Sequence, residues 1–257
     1  MSDNELSRNL ILTRASIWLA MTLIAVWFVF IPWKIEQISI SESDFGFVLM
    51  SFGIGSLVSI QISNRILLKR FPAERLIKIG LLSFPIIFFV WATSESYTAL
   101  LVLALPISIS FGILNSSVVS ATARYEKILG RKLMPFHMAC FSIGGLSGTI
   151  FGGLLLSQFE TKEIALLCAV GFIFFLALAL AWLRTINHAP PPQSQTSHGI
   201  SRLAVFLGIL AALNFGTVGI IMDWSALWLT RDLGVALALG GGIIFAFNSG
   251  EIISRVF

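Results

Sequence analysis

Eight times in 257 residues the chain runs for about twenty positions with almost no charge. A helix of about 20 apolar residues crosses the hydrocarbon core of a bilayer. Inside lipid the backbone has no water to bond, so each run must close its own hydrogen bonds as a helix. The runs fall at approximately 10–33, 45–66, 76–93, 97–122, 133–156, 164–184, 202–222 and 233–254. Composition agrees, with 56% hydrophobic residues and only 12% charged, too few charges to keep a soluble domain dispersed. The fold class this predicts is an all-α polytopic membrane protein, with membrane lipids as its first partner.

The net charge of +4 does not point to nucleic acid. The basic residues form short clusters between the apolar runs, with no aromatic-basic groove, and read as orientation charges. With the N-terminus inside, 14 of the 17 Lys and Arg residues fall on the cytoplasmic side; only Lys34, Lys162 and Arg231 fall outside. The expected placement is a bacterial inner membrane with both termini cytoplasmic. MSDNELSRN is acidic before it is basic, and no small-residue cleavage site follows, so the first run reads as a helix and not as a signal peptide. Trp33, Trp91, Trp224 and Trp228 stand near outer span ends, where interfacial anchors belong. Cys140 and Cys168 lie within apolar runs, without disulfide or zinc spacing. No cofactor or metal is expected.

HAPPPQSQTSHGIS, from His188 to Ser201, cannot be helical and reads as a solvated linker. It divides the chain into a six-helix unit (1–187), a cytoplasmic linker (188–201) and two further helices (202–257). Those two repeat the first two. FIPWKI and IMDWSAL close spans one and seven, and ISNR and IISR close spans two and eight. The tryptophans Trp33 and Trp224 are 191 positions apart, and Arg65 and Arg255 are 190 apart. Repeated bundles are how membrane transporters are commonly built. On this reading spans seven and eight open a second six-helix bundle, and the chain is truncated after the eighth helix, with four helices missing and a complementing chain as a conceivable partner.

Three stretches carry a family resemblance: residues 41–71 (SESDFGFVLMSFGIGSLVSIQISNRILLKRF), 125–155 (YEKILGRKLMPFHMACFSIGGLSGTIFGGLL) and 219–234 (GIIMDWSALWLTRDLG). The chain resembles the major facilitator superfamily, and the last two stretches resemble its subgroup containing the MosC and YbjJ proteins. The loop after span two reads Leu67-Leu68-Lys69-Arg70-Phe71-Pro72, where the family usually carries Asp and Gly, and Val218 stands where an acidic residue is often found. The resemblance implies a major-facilitator-type six-helix bundle plus the first two helices of a second bundle. It also implies that Arg65 and Arg70, in the basic loop, latch the two halves on the cytoplasmic side.

Several residues could carry chemistry. His137, one turn inside span five, is an ionisable group in a membrane helix and so a candidate for coupling or gating; an interfacial His bonded to a loop carbonyl is the structural alternative. Gly144, Gly148 and Gly152 form GxxxGxxxG, a face on which another helix can pack closely or slide. Asn115, with Ser116 and Ser117, marks span four as facing helices or a cavity. Asp223 and Trp224 stand at the outer end of span seven, as an anchor pair or as a gate pairing with a cation. Glu251 is placed to pair with Arg255 at i,i+4. Gly145-Leu146-Ser147-Gly148 has the shape of an intramembrane protease motif, but no later span carries the His that would activate Ser147.

The function these features predict is a secondary transporter of a small organic solute, linked to protons and working by alternating access. An inactive truncated membrane protein is the alternative. No GxxxxGK[ST] motif is present to drive a pump with nucleotide, and no Asp-rich or HExxH motif to make the chain an enzyme. A reporter fused after Arg184 or within Pro190–Pro192 is expected to be cytoplasmic, and one fused after Glu160 external. A periplasmic signal from the linker fusion would overturn the orientation.

Overall fold

The computed structural model describes residues 3–183, 185–186 and 201–256. Among them are eight helical segments long and apolar enough to cross a membrane, and no strand. Seven are built on α1 (Asp3–Gln37), α2 (Glu42–Ile62), α3 (Ala73–Ala92), α4 (Tyr97–Leu129), α5 (Met134–Gln158), α6 (Lys162–Ala181) and α7 (Arg202–Arg231), and the eighth, Leu237–Ser254, joins a 3-10 turn to α8 (Gly242–Val256). The fold is all-α and polytopic. One end of the bundle carries Arg65, Arg70, Arg131 and Lys132 and is called here the basic end; α1 finishes and α2 begins at the far end.

The expected spans correspond one to one with these helices, and the differences lie at their ends. Helix α1 begins and ends beyond 10–33. Helix α2 passes into a π-helical turn (Ser63–Leu67) and a last turn, Leu68–Arg70. Helix α4 continues past 122 to Leu129, because its last turns have partners to bury against; Tyr125 there is fully buried. It stops at Gly130, whose φ of 63° is the left-handed conformation a helix C-terminus favours. The eighth span was expected to be continuous over 233–254. It is instead a single 3-10 turn (Leu237–Leu239) followed by α8, since Gly240, Gly241 and Gly242 are poor helix formers. The linker expected at 188–201 lies outside the described residues except for Ser201, whose hydroxyl accepts the Ala204 N–H and caps α7.

Helix α1 is apolar on all sides and is accordingly the central one. It packs against α3, α4, α5, α6 and α7. Its tightest neighbour is α5, and glycine is the reason. A Cβ on residue 144 would come within 2.6 Å of the Trp18 carbonyl oxygen, and one on residue 148 would overlap the Thr22 carbonyl oxygen. Gly152 faces the Val26 backbone in the same way, at 3.3 Å. Lipid tails are as apolar as leucine, so helices in a bilayer associate through close van der Waals fit, and missing side chains allow it. The second seam, between α2 and α4, interlocks small residues reciprocally: Gly55 sits under Ser108, and Gly112 under Ser59.

A neighbouring face of α5, one residue around the helix, holds α8. Gly145 lies under Asn248, Gly153 under the Ala238 carbonyl, and Gly241 under Thr149. Thus α5 has two glycine faces, one toward the core of the six-helix bundle and one toward the second unit. Helix α7 touches the bundle only through its far half, burying Met222, Ser225, Ala226 and Leu227; every residue from Arg202 to Thr217 is exposed. Trp91 departs from expectation. It is buried and donates its indole N–H to the Leu100 carbonyl at 2.9 Å, so it packs inside the bundle and is no lipid anchor.

Gly148→Leu is expected to destabilise the protein by on the order of 3 kcal/mol or more, because the α1 backbone occupies the space the side chain needs. Gly171→Leu, where nothing lies within 4 Å of an added Cβ, is expected to leave stability unchanged. Thermal unfolding followed by size-exclusion chromatography in detergent compares the two; equal melting points would show that the α1–α5 seam is not close-packed.

Candidate functional site

A cavity of about 330 Å³ opens between α1, α2, α3, α4, α5 and α7. Its wall is built from the inward stripes of these helices and is dominated by aromatic rings. Trp27 and Trp91 are in contact, with ring centroids 4.5 Å apart, and Phe88 meets both edge-on, at 6.0 and 5.8 Å. Phe84 and Phe111 continue the wall toward α4 at 5.6 Å. The Trp27 indole N–H has no acceptor among the described residues.

Asp223 is the ionisable side chain on this wall. It stands on α7, and no donor or cation among the described residues pairs with it. Its neighbour Trp224 turns the other way and meets Phe45 of α2 edge-on at 6.2 Å. Two turns further on, Arg231 reaches across to the first bundle. It donates to Glu42 at 3.1 Å and stands 4.0 Å from Glu36. Together with Met222 and Ala226, which pack with Ile244 of α8 and Phe28 of α1, these contacts draw the far end of α7 against the bundle. At the basic end no such contact is made among the described residues, and Arg202–Thr217 of α7 are exposed.

The remaining candidates are distributed elsewhere. Asn115 and Ser116 are not on the cavity wall. Asn115 lies one turn toward the basic end from Phe111 on the same helical face, and Ser116 is buried toward other helices. His137 is buried at the start of α5, away from the cavity, and neither ring nitrogen has a partner among the described residues. The loop-carbonyl bond considered for it is therefore not made. Arg14 instead lies over the ring of the adjacent Phe136, at 4.3 Å. Arg65 and Arg70 are exposed and meet no carboxylate among the described residues. Gly144, Gly148 and Gly152 face α1 within the bundle, so the glycines presented to the second unit are Gly145 and Gly153. Glu251 accepts the Ser142 hydroxyl at 2.7 Å, across the α5–α8 seam; the Arg255 side chain lies outside the described atoms. Ser147 is held structurally, accepting from the Trp18 indole and donating to the Ile143 carbonyl.

Two features were not anticipated. The aromatic wall is one, since Phe and Trp residues in an apolar chain give no local signal of converging. The other is a buried polar cluster at the basic end. Glu74, fully buried at the start of α3, accepts the Tyr125 hydroxyl at 2.6 Å and lies 3.9 Å from Arg124. Buried Asn9 ties α1 to residue 186 by a pair of bonds, donating to the Ile186 carbonyl and accepting the Ile186 N–H. Glu126 accepts the N–H groups of Leu133 and Met134, which have no intrahelical partner at the start of α5. Glu74 stands in the charged stretch Glu74-Arg75-Leu76-Ile77-Lys78 at the start of the expected third span, so nothing in the sequence singled it out.

Residues 12–257 match the family model described as the Major Facilitator Superfamily. An uncharacterised MFS-type transporter of Yersinia pestis is 24% identical over 234 residues, which are 89% of this chain and 59% of that protein. An uncharacterised transporter of Sinorhizobium fredii is 24% identical over 239 residues, covering 91% of this chain and 62% of the relative. In structure, the whole chain matches 61% of a bacterial homologue of the human lysosomal transporter Spinster, crystallised inward-facing and unoccupied, with a TM-score of 0.66 and 14% identity. The chain thus spans about three fifths of the length of the proteins it matches.

Replacing Glu74 with Ala is expected to cost about 3 kcal/mol, because the Tyr125 hydroxyl loses its buried acceptor and Arg124 a nearby counter-charge. Arg65→Ala, at an exposed unpaired side chain, is expected to stay within about 0.5 kcal/mol. Detergent melting curves of the two variants check this, and a Glu74→Ala protein as stable as the parent would mean that the cluster contributes nothing.

Proposed function

The chain belongs to the Major Facilitator Superfamily, and from that premise we propose that it serves a proton-linked secondary carrier of a small organic solute, working by alternating access. One observation carries the reading: an aromatic-walled cavity between the helices of the bundle and α7, with Asp223 as the carboxylate on its wall and the Arg231–Glu42 ion pair two turns beyond it. Carriers of repeated bundles bind solute near the membrane midplane and move one bundle against the other. The curated relatives are called transporters, which favours the same reading.

In this reading Asp223 is the coupling group, neutralised in turn by a proton and by solute. Arg231 with Glu42 and Glu36, and Trp224 with Phe45, form the far-end gate. Arg65 and Arg70 form the opposite latch, which is unmade here, and His137 belongs to the gating machinery at that end. The second unit slides on the Gly145–Gly153 face of α5, while Gly144, Gly148 and Gly152 keep α1 and α5 together as one body. The basic end is cytoplasmic and the membrane is a bacterial inner membrane, as the 14-to-3 charge division indicates. The stretches 125–155 and 219–234 favour the MosC/YbjJ-like subgroup.

A second reading rests on the bare half of α7. If Arg202–Thr217 stay unpacked, the cavity binds solute without moving it, and transport needs a complementing chain. Vesicles holding the purified protein under a pH gradient separate the two. Saturable uptake that Asp223→Asn abolishes supports the carrier; solute binding without uptake supports the second reading.

The gate is testable by itself. In a background lacking Cys140 and Cys168, Gly53→Cys places a thiol on the cavity wall where nothing lies within 4 Å. A membrane-impermeant maleimide is expected to label it from the basic end only, and added Arg231→Ala to raise far-end labelling several-fold. Equal labelling from both faces of the parent would refute the far-end seal.

A further inference from the structure

We propose that the solute taken by this cavity is a lipophilic organic cation, an alkyl- or aryl-ammonium, held by aromatic faces and by the Asp223 carboxylate. The proposal rests on the carrier reading for the cavity's role and adds the chemical class of what enters it.

Nine of the nineteen residues on the wall are aromatic, and one is ionisable. That balance decides between solute classes. A polyhydroxylated solute such as a sugar needs many donors and acceptors once stripped of water, because each unsatisfied polar group costs free energy. The aromatic wall has one unengaged indole N–H, that of Trp27, since Trp91 already donates to Leu100. An anion would find no Lys, Arg or His on the wall and would face Asp223. A neutral hydrocarbon would fit the rings but make no use of the carboxylate, leaving only a proton to neutralise it. A cation with an apolar body satisfies both halves of the wall. Ring faces attract a positive charge through their quadrupole, and the Trp27, Phe88 and Trp91 cluster presents several within 6.0 Å of one another. Asp223 supplies the counter-charge and has no other partner among the described residues.

The experiment uses the 257-residue protein in nanodiscs and follows the fluorescence of its tryptophans, two of which line the cavity. The probes are phenyltrimethylammonium, its neutral isostere tert-butylbenzene, and benzenesulfonate. The cation is expected to bind saturably and at least about tenfold more tightly than the neutral isostere, a difference of about 1.4 kcal/mol, with no saturable response to the sulfonate. Asp223→Asn is expected to bring the cation to the affinity of tert-butylbenzene while leaving the latter unchanged, and Asp223→Glu to retain the preference. Equal affinity for cation and neutral isostere in the parent protein overturns the proposal, and this comparison needs no variant to fold. A preference untouched by Asp223→Asn also overturns it. Cation-selective binding without gradient-driven uptake would count against the carrier reading alone, whereas uptake of a neutral solute with no cation preference would count against this proposal alone.

Discussion

The Thr22 carbonyl oxygen lies where a side chain on residue 148 would begin, and the rest of the bundle is arranged around that contact. In a bilayer, burial of apolar surface gives no preference for helix over lipid, so association depends on how closely two backbones can approach. Gly144, Gly148 and Gly152 bring α5 onto α1 along three turns. Because α1 then touches four further helices, the seam fixes the axis about which α3, α4, α6 and α7 are placed. The cavity is the space left between the stripes of large rings that those helices turn toward one another.

The two ends of the molecule are held by different physics. At the basic end, Glu74, Tyr125, Arg124, Asn9 and Glu126 join the helices of the first bundle through buried or partly buried polar bonds. In a low-dielectric surrounding such bonds are costly to break, because each partner would be left unsatisfied. They cross-link the first bundle at that end. At the far end the contact between α7 and the bundle is an exposed ion pair and an aromatic edge. Exposed ion pairs are worth little individually, about 0–1 kcal/mol, so this contact is weaker than the buried bonds of the basic end. The α5–α8 seam lies between these extremes. It is close-packed through Gly145, Gly153 and Gly241, yet it carries the Ser142–Glu251 hydrogen bond.

Asp223 connects these mechanical features to chemistry. It sits on the helix that contacts the bundle only at one end, faces an aromatic wall belonging to the other body, and stands two turns from the Arg231 ion pair. Any species that neutralises it therefore acts beside the surface where α7 and the first bundle meet, so occupancy of the site and the relative position of α7 can be coupled through direct contact and without a long relay.

What the sequence determined by itself was the number of helices and their membrane class. Each span is a local property: twenty apolar residues in lipid can satisfy their backbone only as a helix, whatever surrounds them. Asp223 stood out as a carboxylate at the outer end of span seven, but its place on a cavity wall, apart from Trp224, appeared only in the structure. The assignment of faces was decided only in three dimensions. GxxxGxxxG announced a close contact but not its partner, and two glycine faces one residue apart on α5 serve α1 and α8 separately. Asn115 stood out as polar yet lies beyond the cavity wall, while Trp91, read as an anchor, lines it. Fifty-six per cent of the residues are hydrophobic, and in such a chain the side facing lipid and the side facing a cavity are both apolar. Hydrophobic periodicity, which separates inside from outside in water, carries no such information here, and the backbone approach of neighbouring helices had to make the distinction.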